Sequence, residues 1–143
     1  MRKRGVLVEI CLTSNDVILN VRGNEHPLPM YLEAGVPVTL ATDDEGVSRI
    51  DLTNEYLRAA LTYDLGYREL KAMARNSLEH SFLPGTSLWQ PGTLLVTEAC
   101  ARDTGSANLS PACAESLASS ERAQEQWRLE TEFVAFETLS WAP

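Results

Sequence analysis

No apolar run in this chain approaches the ~20 residues that a membrane-spanning helix needs, and none is expected to cross a bilayer. Basic charge is short as well. Lys and Arg number 12 against 20 Asp and Glu, giving a formal net charge of -8 and a pI of about 4.7. A surface of that sign repels polyanions, which argues against nucleic acid and against an anionic membrane as partners. Cysteine is scarce: Cys11, Cys100 and Cys113 match no zinc spacing, and none lies in a CxxC. Histidine is scarcer still, at His26 and His80 alone.

What is present fits one ordinary globular domain. The 143 residues are 44% hydrophobic and 22% charged, as in soluble proteins. The start, Met1-Arg2-Lys3-Arg4-Gly5, imitates the basic end of a signal peptide. Glu9 and then Thr13-Ser14-Asn15-Asp16 interrupt the apolar part, and that reading is rejected.

Taken in order, Gly5 to Cys11 reads as a first strand, mostly apolar and β-branched. Leu12 to Gly23 reads as a loop, because Thr13-Ser14-Asn15-Asp16 suits side-chain-to-backbone turns. A short helix is expected over Pro29 to Ala34, with Gly35 as its stop. Val36 to Ala41 is then a second strand. Strand, helix and strand make a βαβ unit, which implies parallel pairing.

The stretch from Gly35 to Asp44 organises the rest. An apolar run without alternation is how a buried parallel strand reads. Asp43 and Asp44 follow where it emerges. Neighbouring extended residues point to opposite sides, so the two carboxylates can serve two partners. Parallel α/β folds place their chemistry at the C-terminal ends of strands. A bare Asp-Asp pair more often opens a turn or caps a helix.

After a loop at Glu45 to Ser48, one helix is expected from about Asp51 to Leu65. Its inward stripe is Leu52, Tyr56, Ala59 or Ala60, and Tyr63, with Gly66 as terminator. Another runs from Tyr67 to about Phe82, with Leu70, Met73, Ala74, Ser77, Leu78 and Phe82 on one face. Thr86 to Ser110 is irregular. Ser110-Pro111 opens a short helix, and a last one spans Glu121 to Leu139 with Trp127, Phe133, Val134 and Phe136 as anchors. Two parallel strands leave both sheet edges and one face open. The chain is therefore expected to be part of something larger, and poorly soluble or molten on its own.

Segments in this order resemble the C-terminal part of the adenosine deaminase family of metal-dependent hydrolases. They are Glu9-Ile10-Cys11-Leu12-Thr13-Ser14-Asn15, Asn24-Glu25-His26-Pro27-Leu28-Pro29, Thr42-Asp43-Asp44, and Ala74-Arg75-Asn76-Ser77-Leu78-Glu79-His80-Ser81-Phe82-Leu83. The likeness is closer to the adenosine deaminase-related growth-factor branch and its bacterial relatives. It implies an α/β fold, the last two β/α units of a TIM-type (β/α)8 barrel over residues 1–89, with an irregular loop and helical extension over 90–143. It also implies hydrolytic deamination at C6 of adenosine or a related purine nucleoside, with one zinc ion. By that resemblance Asp43 is the catalytic metal ligand that also orients the water, and Asp44 binds the purine ring. Glu45 and Leu12 stand where the family usually has proline.

The family's other metal ligands, its acid/base glutamate and its catalytic histidine have no counterpart here. His26, before a proline, and His80, late in a helix, both read as structural or exposed. A catalytic zinc needs about three protein ligands, so the rest of the site is expected from a missing N-terminal part or another chain. The alternatives are an inactive truncated fragment, an interaction module completed by a partner chain, or a deaminase of AMP or another aminopurine. Cys11 reads as a buried strand residue. Cys100 and Cys113 are either a disulfide, as in exported members of the branch, or two free thiols. Trp89, Trp127 and Trp141 are expected to pack the tail on the barrel exterior.

Overall fold

Strand β1, Val8–Ile10, pairs in parallel with β2, Val38–Leu40, with Val8 opposite Val38, Glu9 opposite Thr39 and Ile10 opposite Leu40. The computed structural model describes residues 1–106 and 108–139, so the expectation for Trp141 lies outside the described residues. Among the described residues the sheet has these two strands only. Both are shorter than the sequence suggests. A 3-10 turn at Arg2–Arg4 and a left-handed Gly5 delay β1. Cys11 ends it by becoming the residue before the next helix. That corrects its placement: Cys11 is half-buried past the strand end, not buried within it.

The register puts Val8, Ile10, Val38 and Leu40 on one face. Ile10, Val38 and Leu40 join Leu12, Leu28, Ala59 and Met73 in a buried apolar cluster. Each large side chain so buried contributes about 1.5–3 kcal/mol. On the opposite face Glu9 is exposed and Thr39 is buried.

The segment after β1 differs most from expectation. Helix α1, Leu12–Leu19, occupies what reads as a loop. Its polar residues favour turns only while their side chains bond their own backbone. Here they bond elsewhere: Ser14 with Asp43, Asn15 with His26, and Asp16 with Arg58 and Arg22. Asn20, in the left-handed region, closes the helix. Helix α2, Leu28–Glu33, starts directly after Pro27 and buries Leu28 completely. Gly35 follows with φ of 63°, a conformation open to glycine.

Beyond β2 a one-turn helix α3, Glu45–Ser48, replaces the expected loop, its carbonyl partner being Asp44. Helix α4, Leu52–Tyr63, has Asp51 as N-cap, accepting from Asn54 N. Ala59 is fully buried and Tyr56 and Tyr63 pack on the core. Leu52 is exposed, and Glu55 is buried in its place. Asp64, left-handed, ends the helix before Gly66. Helix α5, Tyr67–Glu79, turns Met73 inward and rests Leu70 on the core. It stops short of Phe82, which is fully exposed and not part of the expected face.

The chain forms two compact units, Met1–Ser77 and Leu78 onward. In the second, an isolated antiparallel bridge joins Trp89 to Val96. Helices α6, Glu98–Ala101, α7, Pro111–Ala118, and α8, Glu121–Thr138, follow. Ser110 caps α7 with Pro111 in its first turn, and Ser120 caps α8. Leu88, Cys100, Cys113, Leu117 and Ala123 form the core, with Val96 and Trp127 against it. Cys100 and Cys113 form a disulfide that joins α6 to α7 and decides between the two alternatives.

The inward residues of α8 are more polar than the aromatic anchors suggest. Gln126 Oε1 accepts from Leu88 N at 2.7 Å, and Gln126 Nε2 donates to Glu79 Oε2 at 3.0 Å. Trp89 Nε1 donates to Glu130 Oε1 at 2.9 Å. Gln126 and Glu130 are buried, whereas Phe136 is exposed.

Candidate functional site

Parallel strands end on the same side of a sheet, so the segments after β1 and after β2 come together there. The segment after β2 carries Asp43 and Asp44. Asp43 adopts φ of 55°, in the left-handed region that only Asn, Asp and Gly visit routinely. The expectation of two extended neighbours pointing apart is therefore corrected: a left-handed turn at Asp43 sets the two directions. Ser14 Oγ donates to Asp43 Oδ2 at 2.7 Å. Asp44 occupies the N-cap position of α3, and its carbonyl accepts from Ser48 N at 2.9 Å. Its side chain makes no capping hydrogen bond, and both aspartates are exposed.

The segment after β1 is held from α4. Glu55, fully buried, accepts from Leu12 N at 2.7 Å and from Thr13 N at 3.1 Å. Those N–H groups open α1 and have no partner within the helix. Three residues along α4, Arg58 donates to Thr13 Oγ1 at 3.2 Å and pairs with Asp16. Asn76 on α5 donates from Nδ2 to Val38 O at 2.9 Å, tying that helix to the start of β2.

His26 is structural, as expected. It is buried, and its Nδ1 accepts from Leu28 N at 3.1 Å in the first turn of α2. On the other side of the ring, Nε2 lies 2.9 Å from Asn15 Nδ2, the donor and acceptor roles following the tautomer. Burial lowers the His26 pKa, the Arg58 charge lowers it further, and Glu55 opposes both. Burial, then Asp43, Glu9 and Glu55, push the Cys11 thiol up, away from the thiolate a metal or an electrophile requires. A cavity of about 230 Å³ lies between α4 and the segment joining α1 to α2, lined by Leu12, Arg22, His26, Arg58 and Tyr63.

Sequence reasoning singles out Asp43 and Asp44 but not Ser14, Glu55 or Arg58. A glutamate in the first turn of a helix ordinarily reads as a complement to the helix dipole. Nothing local marks Glu55 as the partner of a backbone 43 residues away. Among the described residues no three of His, Cys, Asp and Glu stand close enough to hold a metal ion. One carboxylate is not a zinc site, so these residues by themselves do not fit the ion.

The adenosine deaminase family model matches residues 1–88. The chain belongs to the adenosine deaminase family. It is 42% identical over 84 residues to an aminodeoxyfutalosine deaminase of Streptomyces coelicolor, a match covering 58% of this chain and 22% of that protein. It is 37% identical over 84 residues to an adenosine deaminase of Enterococcus faecalis, covering 58% and 25%. The apo N6-methyl-AMP deaminase of Arabidopsis thaliana superposes with a TM-score of 0.54 at 34% identity, again over 58% of this chain and 25% of that one. This adenosine deaminase family chain thus spans about a quarter of the length of the relatives it matches. Its small parallel sheet and flanking helices correspond to part of that fold.

Proposed function

We propose that these residues are the C-terminal part of a zinc-dependent deaminase that hydrolyses the C6 amino group of adenosine or a related purine nucleoside. The observation that carries the reading is the Asp43–Asp44 pair at the C-terminal end of β2, with Asp43 held by the Ser14 hydroxyl across the sheet. In that reading Asp43 is one ligand of the ion, and the remaining ligands come from outside the described residues. The ion supplies electrophilic activation of water when bound. Asp44, whose side chain is not used for capping, accepts or donates a hydrogen bond at the purine ring. The exposure of both carboxylates leaves them reachable by ion and substrate.

A nucleotide substrate is the second reading, favoured by the likeness to an N6-methyl-AMP deaminase. The test is formation of the 6-oxopurine product, with release of ammonia from adenosine or AMP and of methylamine from N6-methyl-AMP, by the full product of the reading frame that encodes these residues. Adenosine, AMP and N6-methyl-AMP are offered in turn, with zinc content measured alongside. Turnover of adenosine supports the first reading and turnover of the nucleotides alone supports the second. A well-folded, zinc-free product without turnover on any of them would overturn both, in favour of an inactive or interaction role.

A further inference from the structure

Among the described residues, the cavity between α4 and the segment joining α1 to α2 is lined by two cations and no carboxylate. Arg22 and Arg58 line it together with the Thr62 hydroxyl, while Leu12, His26 and Tyr63 supply apolar and ring surface. Tyr63 Oη donates to Gly23 O at 3.2 Å and ties the two sides of the cavity to each other. Asp16, the carboxylate that both arginines reach, is not part of the lining. Neither are Asp43 and Asp44, so the cavity stands apart from the candidate site. A guanidinium carries five N–H donors. Arg58 spends its donors on Thr13 Oγ1 and Asp16, and Arg22 meets Asp16 only at 3.6 Å. The remaining donors and the Thr62 hydroxyl have no partner among the described residues. His26 reports the sign of the field: the Arg58 charge bears on its ring more than the opposing Glu55 charge does. Glu55 itself is engaged by the first N–H groups of α1.

We propose that this cavity binds the phosphate group of a small organic phosphate. Guanidinium forks match phosphate and carboxylate oxygens alike. Three donor side chains line the cavity, and a phosphate monoester offers three oxygens where a carboxylate offers two. At about 230 Å³ the cavity leaves room beside the phosphate for an organic group, which Leu12 and the rings of His26 and Tyr63 face. Asp16 competes with the ligand for the same two guanidiniums, so its neutralisation changes affinity in a definite direction.

The test measures binding of inorganic phosphate, phenyl phosphate and benzoate by calorimetry at constant ionic strength, in the full product of the reading frame. Phenyl phosphate should bind more tightly than inorganic phosphate, which lacks the ring, and more tightly than benzoate, which lacks the third oxygen. Arg22→Ala removes an exposed side chain with one long ion pair and should fold normally. It is expected to weaken phenyl phosphate about tenfold, the worth of a charge-assisted hydrogen bond. Asp16→Asn keeps the shape, frees both guanidiniums and should tighten binding several-fold. Should Asp16→Asn not fold, Arg22→Ala decides alone. Absence of phenyl phosphate binding would overturn the proposal, as would tighter binding of benzoate or weaker binding by a folded Asp16→Asn. Binding that Arg22→Ala leaves unchanged lies elsewhere on the protein and overturns it equally.

Discussion

Ser14 and Asp43, 29 residues apart, share a 2.7 Å hydrogen bond in which the hydroxyl donates to Oδ2. The bond joins the segments that follow the two strands, and it aims a carboxylate whose backbone is left-handed. In the full product Asp43→Ala is expected to abolish both zinc retention and deamination. Asp44→Ala should keep the zinc and weaken purine binding by about 2 kcal/mol, the worth of a hydrogen bond to a charged group. Metal content after dialysis and ammonia release distinguish the two. Loss of zinc from Asp44→Ala alone would contradict the division of roles. The 143-residue chain by itself should hold zinc no better than any exposed acid.

His26 makes stability in the first unit depend on pH. Its folded pKa lies below the ordinary 6.5, through burial first and then Arg58. The folded state therefore binds fewer protons than the unfolded one in that window. The contribution is complete above about pH 6.5 and is lost as pH falls through the folded value. Protonation also puts a hydrogen on Nδ1 against Leu28 N. His26→Asn, which retains an acceptor but cannot titrate, should flatten the slope of denaturant midpoint against pH between about 7 and 5. An unchanged slope would remove His26 from the account.

The Cys100–Cys113 bridge closes a loop of 13 residues in sequence separation. Constraining a loop of that size is worth about 3 kcal/mol. Replacing both cysteines with alanine should lower the stability of the second unit by about that amount. Peptide mapping without reductant should find Cys11 as the free thiol. A Cys11 disulfide in the folded protein would contradict its placement beside the core of the first unit.

Gly85 has φ of 103°, and a Cβ there would lie 2.7 Å from Ser120 Cα. Ser120 is fixed in turn, capping α8 and donating from Oγ to Thr86 O. Gly85→Ala is expected to cost about 3 kcal/mol or more, backbone strain adding to the overlap. Thermal unfolding of the second unit measures it. A loss below about 1 kcal/mol would mean that the chain around Gly85 and Ser120 relaxes freely.

Much of this protein is legible in its residues taken in order. The apolar runs around Val8 and Val38, Gly35 at the end of α2, the cap at Ser110, and the Asp43–Asp44 pair are all local signals. Each depends on a residue and its near neighbours, which is why strands, most helices and the candidate carboxylates follow from sequence. What the tertiary structure decided are the features that depend on partners far along the chain. Thr13 to Asp16 favour a turn locally and form a helix because Glu55 and Arg58, over 40 residues on, take up their N–H groups and side chains. The burial of Glu55 in place of Leu52, the pairing of Cys100 with Cys113 and the Ser14–Asp43 bond belong to the same class. A hydrogen bond or a disulfide between distant residues leaves no periodicity in the sequence, because its geometry exists only once both segments are packed.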